Sequence, residues 1–442
     1  GAWRRGPGST RTRRTARWTS LPDVNAVAII GGGPGGYEAA LVASQLGARV
    51  TVVDSDGLGG SAVLTDCVPS QTLVATADVM VEVADSPELG VRTAGQPGGV
   101  GVDLAAVNRR VLDLAGAQSA DTRARLERDG VRIIAGRGRL DGPNRVVAET
   151  AAGTEGIDAD VVLVATGAHP RELPTAVADG ERILSWTQLY GLDELPERLV
   201  VVGSGVTGAE FASAYHALGS DVVLVSSREQ VLPGQDADAA AVLEDVFVRR
   251  GLTVLARSRA VAAQRQDDGV VVHLEDGRTV QGSHCLMAVG SIPNTAGLGL
   301  EDAGVALDER GFVTVDRVSR TTARGVYAAG DCTGVLMLAS VAAMQGRTAM
   351  WHALGDAVTP LDLSTVSSNV FTSPEIATVG WTQAMVDSGE VQASVVALPL
   401  ATNARAKMSG IHDGFVKVIC RPGTGIVMGG VVVAPSASEL IH

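Results

Sequence analysis

The sequence predicts an α/β protein of two doubly wound parallel layers followed by an α+β domain. Three observations lead there. Short apolar runs alternate with helical ones along most of the chain. One strand–turn–helix–strand unit occurs twice, with glycines of the same spacing 172 residues apart, at Gly31 and at Gly203. From about Leu361 the alternation gives way to short strand-like runs separated by turns, the pattern of an antiparallel sheet.

Composition narrows the function. At 442 residues the chain can bury several cores, and 54 glycines with 45% hydrophobic residues suit Gly- and Val-rich α/β layers. A net charge of −13 and a pI near 5.0 argue against nucleic acid and anionic membrane as partners. No apolar run reaches the ~18 residues of a membrane span, which leaves a cytoplasmic protein and, at most, a peripheral contact with the inner face of a membrane. Cys67, Cys285, Cys332 and Cys420 are far apart, have no metal-ligand spacing, and read as free thiols of a reducing compartment. Residues 1–23 carry Arg4, Arg5, Arg11, Arg13, Arg14 and Arg17 with no acid before Asp23, and are expected to be a disordered leader rather than a targeting signal. The start at Gly1 and the stop at His442 within a helical pattern suggest a fragment.

In chain order, Ala26 to Ile30 reads as a buried strand, Gly35 to Leu46 as a helix and Arg49 to Asp54 as a second strand. Gly31-x-Gly33-x-x-Gly36 lies at the first turn. The first glycine allows the tight turn, the second lets backbone approach a pyrophosphate, and the third lets helix and strand pack closely. Asp54 follows Gly31 by 23 residues, where a carboxylate takes ribose hydroxyls. Strand, helix and acid together make this a dinucleotide fold. Gly59, Gly60 and Ser61 open the segment that contains Cys67, and Gln71 follows; all are candidate contacts of the first cofactor. Asp103 to Asp129 reads as a long amphipathic helix ended by Gly130, and Gly138 is a further cofactor candidate.

Leu199 to Val202, Val206 to Leu218 and Asp221 to Val225 repeat the unit around Gly203-x-Gly205-x-x-Gly208. The same count of 23 lands on Ser226, followed by Ser227 and Arg228, with no acid. A carboxylate there would repel a 2′-phosphate; hydroxyls and a guanidinium favour one. NADPH is therefore expected over NADH, unless Arg228 is only a solvated loop charge. Asp276-Gly277 marks a hairpin. Val164 to Gly167 ends a strand in a small turn with Thr166 and Gly167, and Gly290 opens a turn with Pro293 and Asn294. Gly330-Asp331 ends another strand, placed to bond a cofactor hydroxyl, and Leu338, Ala339 and Ser340 open a helix whose free N–H groups suit negative charge on a cofactor.

Taken in order, these motifs resemble the pyridine nucleotide–disulfide oxidoreductases, a family that includes lipoamide dehydrogenase, glutathione reductase and mercuric reductase. The likeness runs from Val24 to Glu439 and includes Phe371-Thr372-x-Pro374-Glu375-Ile376 at the head of the last domain. It implies FAD in a first Rossmann-like domain (24–190 and 290–360), a nicotinamide cofactor in a second (191–289), and a homodimer through an interface domain (361–442), here C-terminally incomplete. It also implies roles for Cys67, the family's flavin-proximal cysteine, and Glu210, which lies beside flavin N5.

The departures from the family are as telling. Ala62 stands where the family has the first cysteine of its redox disulfide, five positions before Cys67. Gln71 stands in place of a Lys that pairs with the Glu, which leaves a neutral–anion pair. Ser291 occupies a frequent Arg position, and the family's C-terminal His–Glu acid–base pair falls beyond His442. A disulfide needs two thiols, whereas hydride transfer needs only alignment of two rings. The expected activity is transfer from NAD(P)H to FAD and on to a quinone or similar diffusible acceptor, as in the actinobacterial lipoamide dehydrogenase-like quinone reductases. These share the Asp66-to-Ser70 and Ala404-to-Met408 runs. A dihydrolipoyl dehydrogenase with a thiol borrowed from elsewhere, and a non-catalytic flavin-binding redox sensor, stand as alternatives. Cys67 is either an inert buried hydrophobe or a thiolate that tunes the flavin.

Overall fold

The computed structural model describes residues 25–91 and 100–442; the Arg-rich leader lies outside them. Two five-stranded parallel sheets share one construction. The first runs Val326–Ala328, Val161–Val164, Ala26–Ile30, Arg49–Asp54, Arg132–Ala135 across the sheet. The second runs Ile183–Ser185, His284–Met287, Arg198–Val202, Asp221–Val225, Thr253–Leu255. Four strands match in order, so the duplication read from the glycines extends to topology; the fifth differs, because Val326–Ala328 follows its fold in the chain and Ile183–Ser185 precedes its own. Helices or a small antiparallel sheet cover both faces, which is why the central strands are uninterrupted runs of buried Val, Ile and Leu.

The strands and helices expected around both glycine turns form within a residue or so of their sequence limits, as Pro34–Gln45 and Val206–Leu218 show. The long helix is Leu104–Arg128, and its start is fixed by Asp103, whose carboxylate accepts the Ala106 N–H at 2.9 Å. Ile183–Ser185 corrects the expected domain limit. Placed with the first domain by sequence, it pairs with His284–Met287 in the second sheet. The crossing between the two layers is instead an antiparallel ribbon of Ala168–Pro170 against Ser291–Pro293. Thr166 and Asn294 tie it down: Thr166 Oγ1 donates to Asn294 O at 2.7 Å and Asn294 Nδ2 donates to Thr166 O at 2.8 Å.

The last domain is a five-stranded antiparallel sheet ordered Ser368–Val370, Glu375–Gly380, Val427–Ala434, Phe415–Cys420, Ser394–Pro399. Its edge strand exposes Val396 and Leu398, and Met408, Ile426 and Val427 are exposed nearby in sequence. Among the described residues, no helix is long and apolar enough to cross a membrane.

Candidate functional site

Both glycine turns open at the carboxyl ends of their sheets, where doubly wound folds bind ligands. The two turns are built alike. Gly31 N–H donates to Val53 O at 2.8 Å and Gly203 N–H to Val225 O at 2.9 Å. A Cβ on Gly31 would lie 2.2 Å from Ala165 O, and one on Gly203 2.1 Å from Ala288 O, so each needs glycine for packing as well as for its positive φ. Gly36 and Gly208 have no room for a side chain either, because each lies against the carbonyl of its own turn glycine. Gly33 and Gly205 differ. They cap the helices with no side-chain bond, and a Cβ there would meet only Gly60 Cα at 3.9 Å, or nothing within 4 Å. Each therefore leaves uncapped helix N–H groups facing open space, which fits a pyrophosphate. The helix Ala339–Ala353 likewise starts at Leu338 without a side-chain cap, with Ser340 exposed at its mouth.

Asp54 closes the first turn. Its carboxylate accepts N–H groups from Gly32 at 2.7 Å, Asp56 at 3.0 Å and Gly57 at 2.6 Å, and stays partly exposed. Gly138 has a packing reason of its own: a Cβ would lie 2.9 Å from Ile30 and 3.3 Å from Val53, so its missing side chain needs no ligand to explain it. Gly330 N–H donates to the buried Gln345 at 2.8 Å, which fixes the turn that presents Asp331. Gly167 and Gly290 both have positive φ with open space at Cβ, on either side of the Thr166–Asn294 ties.

Sequence pattern missed that the Cys67 segment is helical. Gly60–Leu64 and Cys67–Asp85 are two helices, entered through Gly59 and Gly60. The second packs against Val206–Leu218 in one apolar core containing Leu73, Tyr190, Phe211 and Tyr215. Cys67 is exposed rather than buried. Surrounding protein, then the charges of Asp66, Glu210 and Asp331, push its thiol up to about 12. All four cysteines are free. Cys332 is fully buried with its sulfur against Ala329 O and Val164 O, so it is no substitute for the thiol absent at Ala62.

Glu210 is not paired with Gln71: among the described residues, no hydrogen bond joins them. Glu210 Oε1 instead accepts the Phe371 N–H at 2.8 Å, linking the second fold to the last domain. Burial raises Glu210, the Phe371 bond opposes this and Asp66 adds to it, and the carboxyl is pushed up to about 7. Burial and then Asp66 lift Asp331 to about 6.

The second turn replaces an acid with a hydroxyl clamp. Ser204 and Ser226 occupy the places that Gly32 and Asp54 hold in the first turn, and their Oγ atoms lie 2.7 Å apart. Ser226 Oγ also accepts the Arg228 N–H at 3.1 Å, and the residue has no exposed surface. This corrects the expectation for Ser226: it shapes the loop and does not face a ligand. Ser227 and Arg228 remain exposed. Arg257, which sequence did not single out, donates its N–H to Arg228 O at 2.8 Å and brings another exposed arginine to the loop.

Comparison with known proteins agrees with this geometry. Residues 25–346 match the pyridine nucleotide-disulphide oxidoreductase model and residues 366–442 the dimerisation domain of the same family. The chain is 55% identical over 428 residues to an NAD(P)H dehydrogenase (quinone) of Mycobacterium tuberculosis, covering 95% of this chain and 86% of that one. It is 33% identical to a dihydrolipoyl dehydrogenase of Zymomonas mobilis, covering 94% and 89%. The crystal structure of LpdA from Mycobacterium tuberculosis superposes with a TM-score of 0.89 at 55% identity, covering 95% of this chain and 92% of that one. With two folds built around matching glycine turns and a matching last domain, the chain belongs to the pyridine nucleotide-disulphide oxidoreductase family.

Proposed function

We propose that the protein is an FAD-dependent NAD(P)H:quinone oxidoreductase, a homodimer through its last domain, with NADPH preferred over NADH. The observation that carries the reading is Cys67 alone in an otherwise complete two-fold scaffold: the cofactor turns are intact, and no second thiol is within the site. The name of the M. tuberculosis relative points the same way. Bound FAD would take hydride from the nicotinamide and pass the electron pair to the acceptor. The chain supplies the rest. Gly33 and the Pro34–Gln45 helix start hold one pyrophosphate, and Gly205 with the Val206–Leu218 helix start holds the other. Asp54 holds the adenosine ribose, Asp331 the ribityl chain, and Leu338 to Ser340 present N–H groups to the flavin pyrimidine edge. Exposed Val396 and Leu398 suit burial against a second copy.

The deciding experiment follows NADPH oxidation by the FAD-loaded protein with a naphthoquinone and, in parallel, with lipoamide. Quinone turnover without lipoamide turnover is expected; lipoamide turnover would reject the reading. Two variants refine it. Cys67→Ser keeps quinone kcat within a few-fold, because a neutral thiol with no partner carries no electrons. A ~100-fold loss, about 2.7 kcal/mol of barrier, would give the sulfur a direct role. Arg228→Ala raises KM for NADPH about tenfold and leaves KM for NADH nearly unchanged, as expected for one lost charge-assisted phosphate bond. Equal effects on both would remove the 2′-phosphate from this loop.

A further inference from the structure

The first sheet carries its cofactor turn at the carboxyl ends of its strands. Near the start of its edge strand, Val326–Ala328, lies a cavity that the cofactor machinery does not use. Its volume is about 570 Å³, within the range of small-molecule sites. The walls come from the 314–327 segment and from His352, in the last turn of the Ala339–Ala353 helix. That helix has 15 residues and so spans about 22 Å. Its first turn is proposed to face the flavin and its last turn faces this cavity, so the two sites are separate.

The walls are held by the chain itself. Asp316 Oδ1 accepts the N–H groups of Val318 at 3.0 Å and Arg320 at 2.9 Å, and Oδ2 holds the Arg320 guanidinium at 2.7 Å. Thr322 Oγ1 donates to Gly304 O at 2.7 Å and accepts the Ala306 N–H at 2.8 Å. Tyr327 is 7% exposed, and its hydroxyl lies 2.9 Å from His352 Nδ1. Burial raises that hydroxyl above its ordinary value, so it keeps its proton and donates it. Nδ1 then accepts, which places the imidazole proton on Nε2. Among the described residues the Tyr327 bond is the one hydrogen bond to the His352 ring, and Nε2 is left without a protein partner.

Charge selects the ligand. Arg320 is neutralised by Asp316, whereas among the described residues no ion pair engages Arg324. The cavity therefore has one uncompensated guanidinium and one outward imidazole N–H, in a chain of net charge −13. Both are donors. Val315, Ala323 and the Tyr327 ring supply apolar wall. We propose that this cavity binds a small organic anion, an oxyanion group on an apolar body. Arg324 and His352 Nε2 donate to the oxyanion, and Tyr327 is a positioning residue that fixes the imidazole tautomer. A phosphate monoester and a carboxylate share this chemistry.

The test is calorimetric titration of the FAD-loaded protein with phenyl phosphate, benzoate and inorganic phosphate. Saturating NADP⁺ is present so that anions do not bind at the cofactor turns. At least one organic probe is expected to bind about tenfold or more tightly than inorganic phosphate, because its ring is buried against the apolar wall. The tighter organic probe identifies the headgroup. Arg324→Ala and His352→Ala should each raise its Kd about tenfold, the loss of one charge-assisted or buried bond. Tyr327→Phe keeps the ring and releases the tautomer, and should raise Kd a few-fold. All three variants should retain wild-type FAD content and NADPH oxidation, which separates lost binding from lost folding. Binding by neither organic probe overturns the site. So does binding that neither Arg324→Ala nor His352→Ala weakens, or inorganic phosphate that binds as tightly as both organic probes. The inference is independent of the electron acceptor: failure of quinone turnover would leave it standing.

Discussion

Gly205→Ala leaves the thermal midpoint unchanged or slightly higher and raises the NADPH Kd by about 100-fold, or about 2.7 kcal/mol. Position 205 has φ −69° and ψ −175°, extended backbone open to any residue, and a methyl there meets no protein atom within 4 Å. In the free protein the substitution therefore costs nothing, and it removes chain entropy from the unfolded state, worth about 0.4–1 kcal/mol. The methyl projects into the space in front of the helix N-terminus, where the pyrophosphate of the nicotinamide cofactor is proposed to lie, and forcing it there costs about 1–3 kcal/mol. Neighbouring glycines do not permit so clean a test. A Cβ on Gly208 would lie 1.8 Å from Gly203 O, and its loss of binding would be indistinguishable from misfolding. Fluorescence titration of NADPH, with FAD content as control, reads the effect. A Kd within threefold of wild type would mean that the cofactor does not cross the second turn at Gly205.

Lys417→Met lowers stability by about 3–5 kcal/mol, the cost of leaving a buried charge without its partner. Lys417 lies on the central part of the last sheet, and its side chain is 3% exposed. Its ammonium donates to both Asp236 oxygens at 2.9 and 2.8 Å and to Asp238 at 2.6 Å, so all three donors are used. Asp236 is itself 4% exposed and caps the helix Ala237–Arg249 through the N–H groups of Asp238 and Ala239. Burial alone would pull the lysine down, yet the bonds from Asp236 and Asp238 outweigh it and hold the ammonium above its ordinary value. A group raised on folding stabilises below its unfolded pKa and loses that contribution as pH climbs through the folded value. The contribution is therefore full at neutral pH and fades only in alkali. Urea denaturation of Lys417→Met and of the double variant Lys417→Met/Asp236→Asn checks the assignment. The double variant should recover much of the loss, because the stranded carboxylate is gone. A single variant as stable as wild type would refute the buried pair. The same bonds anchor the far end of the loop that starts at Ser226, so the variant should also weaken NADPH binding by a few-fold.

The strands and helices around both glycine turns, the antiparallel last domain and the family were all legible in the chain. These rest on signals that are local in the chain. Buried parallel strands read as apolar runs, and the turn glycines have to be glycine because backbone carbonyls occupy the side-chain position. The absence of a second thiol was equally visible in Ala62.

Tertiary structure alone decided what the remaining polar residues do. Counting residues led to Ser226 but not to Ser204, which takes its hydroxyl and leaves the loop surface to Ser227 and Arg228. Cys67 drew the eye because it has a motif, while Asp66 beside it has none. The thiol of Cys67 is raised by burial, then by the charges of Asp66, Glu210 and Asp331, the last two more than 120 residues away along the chain. Lys417 reads as a break in the apolar face of a strand, and only the neighbouring helix start supplies the carboxylates that make its burial stable. Propensity and periodicity act through neighbours in sequence. The protonation, pairing and exposure of a polar side chain depend on neighbours in space, which no local pattern records.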